Sequence, residues 1–340
     1  MRTRFLGVTL LFALVFASCE KDPPMVTVVQ NNALRILIQN EYTTPPAKVS
    51  VFFKVEEKDG TPVAGLVDSD FSIYEKGRND DATRLISSDE AERQISPRAQ
   101  LFAYNTLLIL DLSASITNND LPKLKEASKQ FVRAVIPEDN DGSIKIGIYW
   151  FDGEDVLHQL TDFSGDITLL SEAIDSITPD ISSDNSTDLF GAVIKGVDAV
   201  NDALYESDDR ISAASIVVFT DGTDQAARYS REQAYSKVEE AKERMTFYTI
   251  GLGSEIDESV LANIGVNSFE FAANTDKLIE TFERIAKRVS DEANSYYLFE
   301  YCSPKRNGTN ELTIEALLGM LKGEATTEFV ADGFGGGCEL

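Results

Sequence analysis

Five oxygen-bearing residues occur where predicted strands end or where a predicted helix begins. They are Asp111, Ser113, Ser115, Thr187 and Asp221. The first three directly follow the apolar run 106–110, which is typical of a buried strand. Carboxylate and hydroxyl oxygens are ligands that hard cations such as Mg²⁺ accept. For Asp111 or Asp221 alone, a helix cap or turn former would be the better explanation, so the inference of a metal site depends on the joint occurrence of all five residues.

Predicted strands and helices alternate over residues 101–293. The strands are predicted at 106–110, 144–151, 216–219 and 247–252, and the helices near 121–135 and at 187–204, 232–244 and 276–289. This alternation predicts an α/β fold with a doubly wound, mostly parallel, Rossmann-like sheet covered on both faces. In such a sheet the loops beyond the carboxyl ends of the strands form the ligand crevice, where the five residues would meet.

Strand-like segments flank this α/β region on both sides. Short apolar runs recur about every ten residues from 34 to 85, which favours an antiparallel sandwich. Residues 79–100 are charged and contain a proline, so they are predicted to be a linker or long loop. Strand patterns return after Asn294. We therefore predict a smaller β-sandwich that is begun, with its linker, at 33–100 and completed by 294–340.

Three segments together resemble a known metal site. Asp111-x-Ser113-x-Ser115, the segment 186–192 and the segment 220–222 resemble the metal-ion-dependent adhesion site of von Willebrand factor type A domains, which integrin inserted domains share. The resemblance covers residues 101–293. It implies that a divalent cation, Mg²⁺ or else Mn²⁺ or Ca²⁺, is held by Asp111, Ser113, Ser115, Thr187 and Asp221.

The resemblance also implies how this site works. Neutral hydroxyls would touch the cation without neutralising its charge, while Asp111 and Asp221 would act partly through water or alternately with Thr187. The cation then keeps an electrophilic position for a carboxylate of a partner. In the family the last helix moves when ligand is engaged, which here would be residues 276–289. Residues 51–75 resemble the immunoglobulin-like leader that precedes such domains in some bacterial exported proteins.

The first residues have the pattern of a secretory signal. Two arginines precede an apolar run at 5–17, which is too short to span a bilayer as a helix. The end of residues 1–18 resembles a bacterial lipoprotein box, which would make Cys19 the lipid-bearing first residue; an ordinary signal with a chance cysteine is the alternative. Residues 19–32 are predicted to be a tether. The expected location is the outer membrane or the cell surface.

Cysteine, histidine and charge content exclude several classes of function. An exported protein favours a disulfide between Cys302 and Cys338, with two free thiols as the alternative. His158 is the only histidine, so histidine-dependent catalytic groups and multi-histidine zinc sites are poorly supported, and it is predicted to be structural or exposed. The 31 basic and 57 acidic residues give a net charge of −26, which argues against a nucleic-acid partner.

The expected function is therefore adhesion or protein interaction at the bacterial surface, not catalysis. The partner would be a protein that presents Asp or Glu, and the membrane would be contacted only through the lipid anchor. A magnesium-dependent hydrolase or a scaffold with a structural metal are the alternatives; a hydrolase would need a base and usually a second metal. Asp184, Asp188 and Asp224 are predicted to lie on a solvated rim, with support of the metal ligands or a second site as the alternative. Asp152 is predicted to lie in the turn after a strand.

Overall fold

The computed structural model describes residues 33–88, 90, 92–96, 102–205, 211–254 and 256–340, so the predicted signal peptide, Cys19 and the whole predicted tether lie outside the described residues. The strands are β1 Leu34–Thr44, β2 Lys48–Glu57, β3 Phe71–Gly77, β4 Arg84–Ile86, β5 Arg93–Ser96, β6 Phe102–Asp111, β7 Ile144–Phe151, β8 His158–Ser164, β9 Ile211–Thr220, β10 Met245–Leu252, β11 Ser268–Ala272, β12 Tyr296–Cys302, β13 Thr309–Leu318 and β14 Leu321–Val330. The helices are α1 Ala114–Asn119, α2 Leu121–Val135, α3 Ile167–Ser176, α4 Leu189–Tyr205, α5 Arg231–Ala241, α6 Glu258–Ile264 and α7 Leu278–Ala293.

The central sheet has the strand order β11-β10-β9-β6-β7-β8. All neighbouring strands are parallel except β8, which returns antiparallel to β7. In register, Asp111 lies opposite Phe151 of β7, and Leu110 lies opposite Phe219 of β9. The carboxyl ends of these three strands therefore lie level, which places Asp111 beside Thr220, the last residue of β9.

Helices cover both faces of this sheet and bury it. On one face α2 and α7 pack through Phe131 and Phe282, whose ring centroids are 6.3 Å apart. On the other face α4 and α5 contribute Val193 and Val238 to a second buried cluster. The predicted doubly wound α/β fold is confirmed. Within the described residues, no helix combines the length and the apolar character needed to cross a bilayer.

Two antiparallel four-stranded sheets form the rest of the described structure. Their strand orders are β1-β2-β12-β5 and β14-β13-β3-β4, so each sheet contains strands from both sides of the α/β region. Their inner faces share one core, in which the rings of Phe53, Phe71 and Tyr297 lie 5.5 to 5.9 Å apart.

The prediction of a linker at 79–100 is wrong for part of that segment. It contains β4 and β5, which pair with β3 and β12. Each lies at an edge of its sheet, and an edge strand pairs on one side only. Such short strands bury little apolar surface: Ile86 is buried in β4, and Ile95 of β5 packs against the same core. The segment therefore lacks the alternation that marks longer strands.

Cys302 and Cys338 form a disulfide that ties the C-terminal segment to β12. The two residues are 36 positions apart, and closing a loop of this length in the unfolded chain is unfavourable. Replacing both cysteines with serine is expected to lower the free energy of unfolding by about 3 kcal/mol. Urea denaturation of the double variant and of the wild-type protein measures the difference. Equal midpoints for the two proteins would contradict the expectation, and reduced wild-type protein should match the variant.

Candidate metal centre

Asp111 ends β6 and is completely buried. Its Oδ1 accepts a hydrogen bond of 3.0 Å from the backbone N–H of Ser113, and its Oδ2 accepts one of 2.6 Å from the Thr220 hydroxyl. These bonds orient the carboxylate toward the loop that follows β6. Thr220 is a partner that the sequence pattern does not assign, because a threonine that ends a strand has no distinctive signal.

The two serines that follow Asp111 lie at the start of α1. Ser113 is the residue before this helix, and Ser115 lies in its first turn, which puts their hydroxyl oxygens 3.3 Å apart. The Ser115 hydroxyl donates a hydrogen bond of 3.0 Å to Oδ1 of Asp221, which follows β9. The loops after β6 and β9 are thus joined through two of the predicted ligands.

Thr187 reaches the same place from the loop before α4. It is buried, and its backbone carbonyl accepts hydrogen bonds from the N–H groups of Gln225 and Ala226 at 2.8 and 3.1 Å. Its hydroxyl faces the segment after Asp221, because a Cβ on Gly222 would lie 3.6 Å from the Thr187 Oγ1. The structure therefore places all five sequence-predicted residues around one point at the edge of the sheet.

The electrostatics of this cluster fit a divalent cation. Burial raises the pKa of Asp111 to about 7, the charge of Asp221 adds to the rise, and hydrogen bonds from Thr220 and Ser113 oppose it. A rise of this size means that the ionised carboxylate lacks sufficient compensation from the protein alone. Two carboxylates and three hydroxyls form an all-oxygen donor set of the kind that Mg²⁺, Mn²⁺ or Ca²⁺ accepts.

A family model for the von Willebrand factor type A domain matches residues 105–288. This span covers more than half of the chain and contains all five residues of the cluster. The chain belongs to the von Willebrand factor type A domain family. The resemblance inferred from the sequence is confirmed, and membership of this family supports a metal-dependent protein-interaction module rather than an enzyme.

One curated relative of this type A domain is the inter-alpha-trypsin inhibitor heavy chain H1 of Bos taurus. It is 22% identical over 247 residues, which cover 68% of this chain and 26% of the relative, so the chain spans about a quarter of the length of that protein.

Similar solved structures include a von Willebrand factor type A protein from Catenulispora acidiphila (TM-score 0.48, 10% identity, 88% of this chain and 74% of that chain). A second is proximal thread matrix protein 1 of the mussel byssus with a zinc-occupied MIDAS motif (TM-score 0.44, 20% identity, 61% of this chain and 49% of that chain). A third is the vWF domain of the type V pili tip protein Mfa5 from Porphyromonas gingivalis (TM-score 0.44, 14% identity, 56% of this chain and 96% of that chain).

Asp188 and Asp224 of the type A domain contact the start of α4, and for the buried Asp188 the expectation of a solvated rim is wrong. Asp188 is buried, and its Oδ1 accepts a hydrogen bond of 3.3 Å from the N–H of Gly191 in the first turn of α4. Asp224 accepts one of 3.2 Å from the N–H of Phe190 in the same turn. Negative groups are stabilised at a helix N-terminus, so these acids fix the start of α4, directly beside Thr187. The sequence missed this role because Asp224 is remote in the chain.

Basic and aromatic residues border the site on the side of β7, and sequence reasoning missed them. Lys195 Nζ lies 2.5 Å from Asp155 and 3.4 Å from Asp188, and 4.7 Å from the centre of the Tyr229 ring. Burial lowers the pKa of Lys195, but the two carboxylates outweigh this effect and raise it overall. Arg228 donates two hydrogen bonds, of 3.0 and 2.8 Å, to the Gly153 carbonyl. These charged residues lie on α4 and on two loops that are far apart in the chain, so no local sequence pattern indicates that they meet.

The loop that carries Thr187 packs tightly against Gly153. A Cβ at this position would lie 1.9 Å from the Ser186 hydroxyl and 2.4 Å from Oδ1 of Asp184. Gly153→Ala is therefore expected to displace this loop and to weaken Mg²⁺ binding about tenfold, the scale seen when supports of metal ligands are lost. Calorimetric titration with Mg²⁺ measures the change. The control is Gly336→Ala, since a Cβ there meets nothing within 4 Å. Equal affinities for the two variants would contradict the prediction.

Proposed function

We propose that this type A domain binds an acidic side chain of a partner protein through a divalent cation. The cation, Mg²⁺ or else Mn²⁺ or Ca²⁺, would be held by Asp111, Ser113, Ser115, Thr187 and Asp221. The observation that carries the proposal is the convergence of these five oxygen-bearing side chains from three separate loops. When bound, the cation supplies an electrophilic position that a carboxylate of a partner can occupy.

The surrounding residues support binding by positioning the ligand set. Thr220 holds one oxygen of Asp111, and the start of α1 positions the two serines, Ser113 as the residue before the helix and Ser115 in its first turn. Asp188 and Asp224 hold the start of α4, so that Thr187 is carried by a fixed helix end. A rigid set of this kind loses little conformational entropy when it binds a partner.

A peptide array tests the proposed specificity for carboxylates. Peptides that contain a single Glu or Asp are compared with matched Gln or Asn peptides, with Mg²⁺ and with a chelator. Binding of the acidic peptides alone, only with Mg²⁺, and its loss in Asp111→Asn would support the proposal. The matched control is Asp81→Asn, because Asp81 is exposed on the β-sheet part of the chain. Equal binding of acidic and amide peptides would exclude it.

The two alternatives predict different outcomes in the same preparation. A magnesium-dependent hydrolase would turn over a phosphate or carboxylate ester, and Asp111→Asn would abolish that turnover. A scaffold with a structural metal would bind partners equally well in the variant once its fold is shown to be intact by circular dichroism.

We further propose that residues 33–100 and 294–340 form one immunoglobulin-like sandwich into which the type A domain, 101–293, is inserted. The pairing of β12 with β2 and of β13 with β3 supports this division. A C-terminal fragment that limited proteolysis releases while leaving 33–100 folded would contradict it.

The N-terminal sequence pattern and the disulfide support a lipid-anchored protein at the bacterial surface. We propose that residues 1–18 are a lipoprotein signal peptide, that Cys19 carries the lipid, and that 19–32 are the tether. The disulfide of Cys302 and Cys338 supports an oxidising location outside the cytoplasm. Metabolic labelling with palmitate in the source bacterium should mark the wild-type protein and not Cys19→Ser. Label on both proteins would exclude lipidation at Cys19.

A further inference from the structure

Three potential metal ligands lie together outside the five-residue set. One oxygen of Asp152, one oxygen of Glu154 and one ring nitrogen of His158 all lie within 4.8 Å of one another. Asp152 directly follows β7, and His158 begins β8, which returns antiparallel so that His158 pairs in register with Trp150. The tight return of the chain therefore creates a mixed nitrogen and oxygen cluster that sequence spacing alone does not reveal.

His158 holds a ring nitrogen that lacks a hydrogen bond. Its ring stacks on Trp150 with the centroids 4.0 Å apart and the planes at 11°. Within the described part of the chain, Nε2 is shielded from solvent and has no hydrogen-bond partner. It lies 3.4 Å from Oε2 of Glu154, which is within ion-pair range but lacks hydrogen-bond alignment. Because a buried polar atom without a partner is unfavourable, this nitrogen is suited to bind a ligand.

Asp152 is buried and held in one orientation. Its Oδ2 accepts hydrogen bonds from the Ser182 hydroxyl and from the N–H groups of Ser183 and Asp184 at 2.9, 3.1 and 3.2 Å. Its Oδ1 accepts one bond, of 2.8 Å, from the N–H of Glu154. Oδ1 is thus the less occupied of the two oxygens and keeps a lone pair for a cation. Hydrogen bonds that orient a ligand in this way are typical around protein-bound metals.

Glu154 supplies the adaptable member of the cluster. Its side chain is 42% exposed, and its other oxygen, Oε1, accepts a hydrogen bond of 2.5 Å from the Ser183 hydroxyl. Rotation of this side chain can draw its carboxylate toward the other two ligands without disturbing the buried Asp152.

We propose that Asp152, Glu154 and His158 form a second cation site, which takes a first-row transition ion such as Zn²⁺ or Ni²⁺. An imidazole nitrogen beside two carboxylates suits these ions, whereas Mg²⁺ prefers oxygen ligands alone. The site adjoins the loop that carries Thr187, because the backbone carbonyl of Asp152 accepts a hydrogen bond of 2.9 Å from the N–H of Asp188. A cation here steadies that loop through Asp152.

Trp150 gives a local readout, since it is the only tryptophan in the chain. Titration with Ni²⁺, a quencher of indole fluorescence, is expected to give saturable quenching that Zn²⁺ reverses and Mg²⁺ does not. The measurement is made in wild-type protein and in Asp111→Asn. Quenching that persists in Asp111→Asn assigns the effect to the second site, so the test does not depend on the proposed function of the first.

Two variants with matched controls decide the outcome. His158→Phe keeps an aromatic ring against Trp150 but removes the ligand, and Glu154→Gln removes the charge of a half-exposed carboxylate while its amide oxygen can still accept the hydrogen bond from Ser183. Both are expected to weaken Ni²⁺ binding at least about tenfold. Asp155→Asn, the adjacent acid outside the cluster, should bind Ni²⁺ like the wild-type protein. Unsaturable quenching in the wild-type protein, or equal quenching in His158→Phe, would overturn the proposal.

Discussion

Asp111→Asn is expected to lower the affinity for Mg²⁺ more than about 100-fold while the fold is retained. The substitution removes one of the two carboxylates of the ligand set but keeps the size of a completely buried side chain. Asparagine can still accept the hydrogen bond from the Ser113 N–H. It can also donate to Thr220, whose hydroxyl already lies 3.3 Å from the Gly222 carbonyl and can donate there instead. Calorimetric titration measures the Mg²⁺ affinity, and circular dichroism shows whether the fold is retained.

Without metal, Asp111→Asn should be more stable than the wild-type protein at neutral pH, although it binds Mg²⁺ less tightly. In the folded state the pKa of Asp111 is raised to about 7 by burial and by Asp221, above its ordinary value of 3.8. The folded state therefore holds this proton more tightly, so the stabilisation is complete below pH 3.8 and is lost as the pH rises to about 7. Above that pH, metal-free Asp111→Asn should be more stable than the metal-free wild-type protein by roughly 4 kcal/mol at most.

Urea unfolding with a chelator, at several pH values between 4 and 8, tests this difference. The control is the same series with saturating Mg²⁺, in which the advantage of Asp111→Asn should shrink because the wild-type protein binds the ion more tightly. Parallel pH profiles for the two metal-free proteins would show that Asp111 carries no uncompensated charge, and the metal-centre assignment would lose its main electrostatic support.

Lys54→Met is expected to lower the free energy of unfolding by about 3 kcal/mol at pH 8. Lys54 of β2 lies 2.8 Å from Glu292, in the last turn of α7, and 3.3 Å from Glu56. The Lys54 and Glu292 side chains are only 10% and 3% exposed. Removing the lysine leaves Glu292 as a buried charge without its cationic partner, although its Oε1 still accepts a hydrogen bond of 3.3 Å from the Tyr296 hydroxyl.

This loss should shrink as the pH falls. Burial raises the pKa of Glu292, while Lys54 opposes the rise. Without Lys54 that pKa rises further, so the folded variant takes up a proton more readily than its unfolded chain and regains stability as the pH is lowered. The double variant Lys54→Met/Glu292→Gln should be more stable than Lys54→Met alone at pH 8, because the unpaired charge is gone.

The matched control is Lys123→Met, which breaks a pair with Glu126 whose side chains are 47% and 50% exposed. Its expected cost is below about 1 kcal/mol, since exposed pairs contribute little. Equal losses for Lys54→Met and Lys123→Met would contradict the assignment of a buried pair. Measuring Mg²⁺ affinity in Lys54→Met also tests the hypothesis that the last helix moves with ligand, because Glu292 joins the end of α7 to β2.

Local sequence patterns were sufficient to predict the main fold. The apolar runs at 106–110 and 216–219 lie within β6 and β9, and the helical spacing at 276–289 lies within the segment that forms a helical turn and α7. These elements are buried on one or both sides, so their periodicity is strong. The edge strands β8 and β11 were not predicted, because an edge strand requires few apolar residues. The helix α6 was not predicted because its seven residues are too few to show a clear helical period.

The sequence by itself determined which residues converge at the edge of the sheet, because Asp111, Ser113 and Ser115 are neighbours in the chain and parallel strands align their carboxyl ends. Only the tertiary structure decided the partners of those residues. Thr220 bonds Asp111, and Asp224 caps a helix more than thirty residues earlier in the chain. The physical reason is that hydrogen bonds, burial and charge act through space, whereas sequence patterns report only neighbours along a strand or helix. His158, which the sequence leaves without a companion ligand, acquires two carboxylates for the same reason.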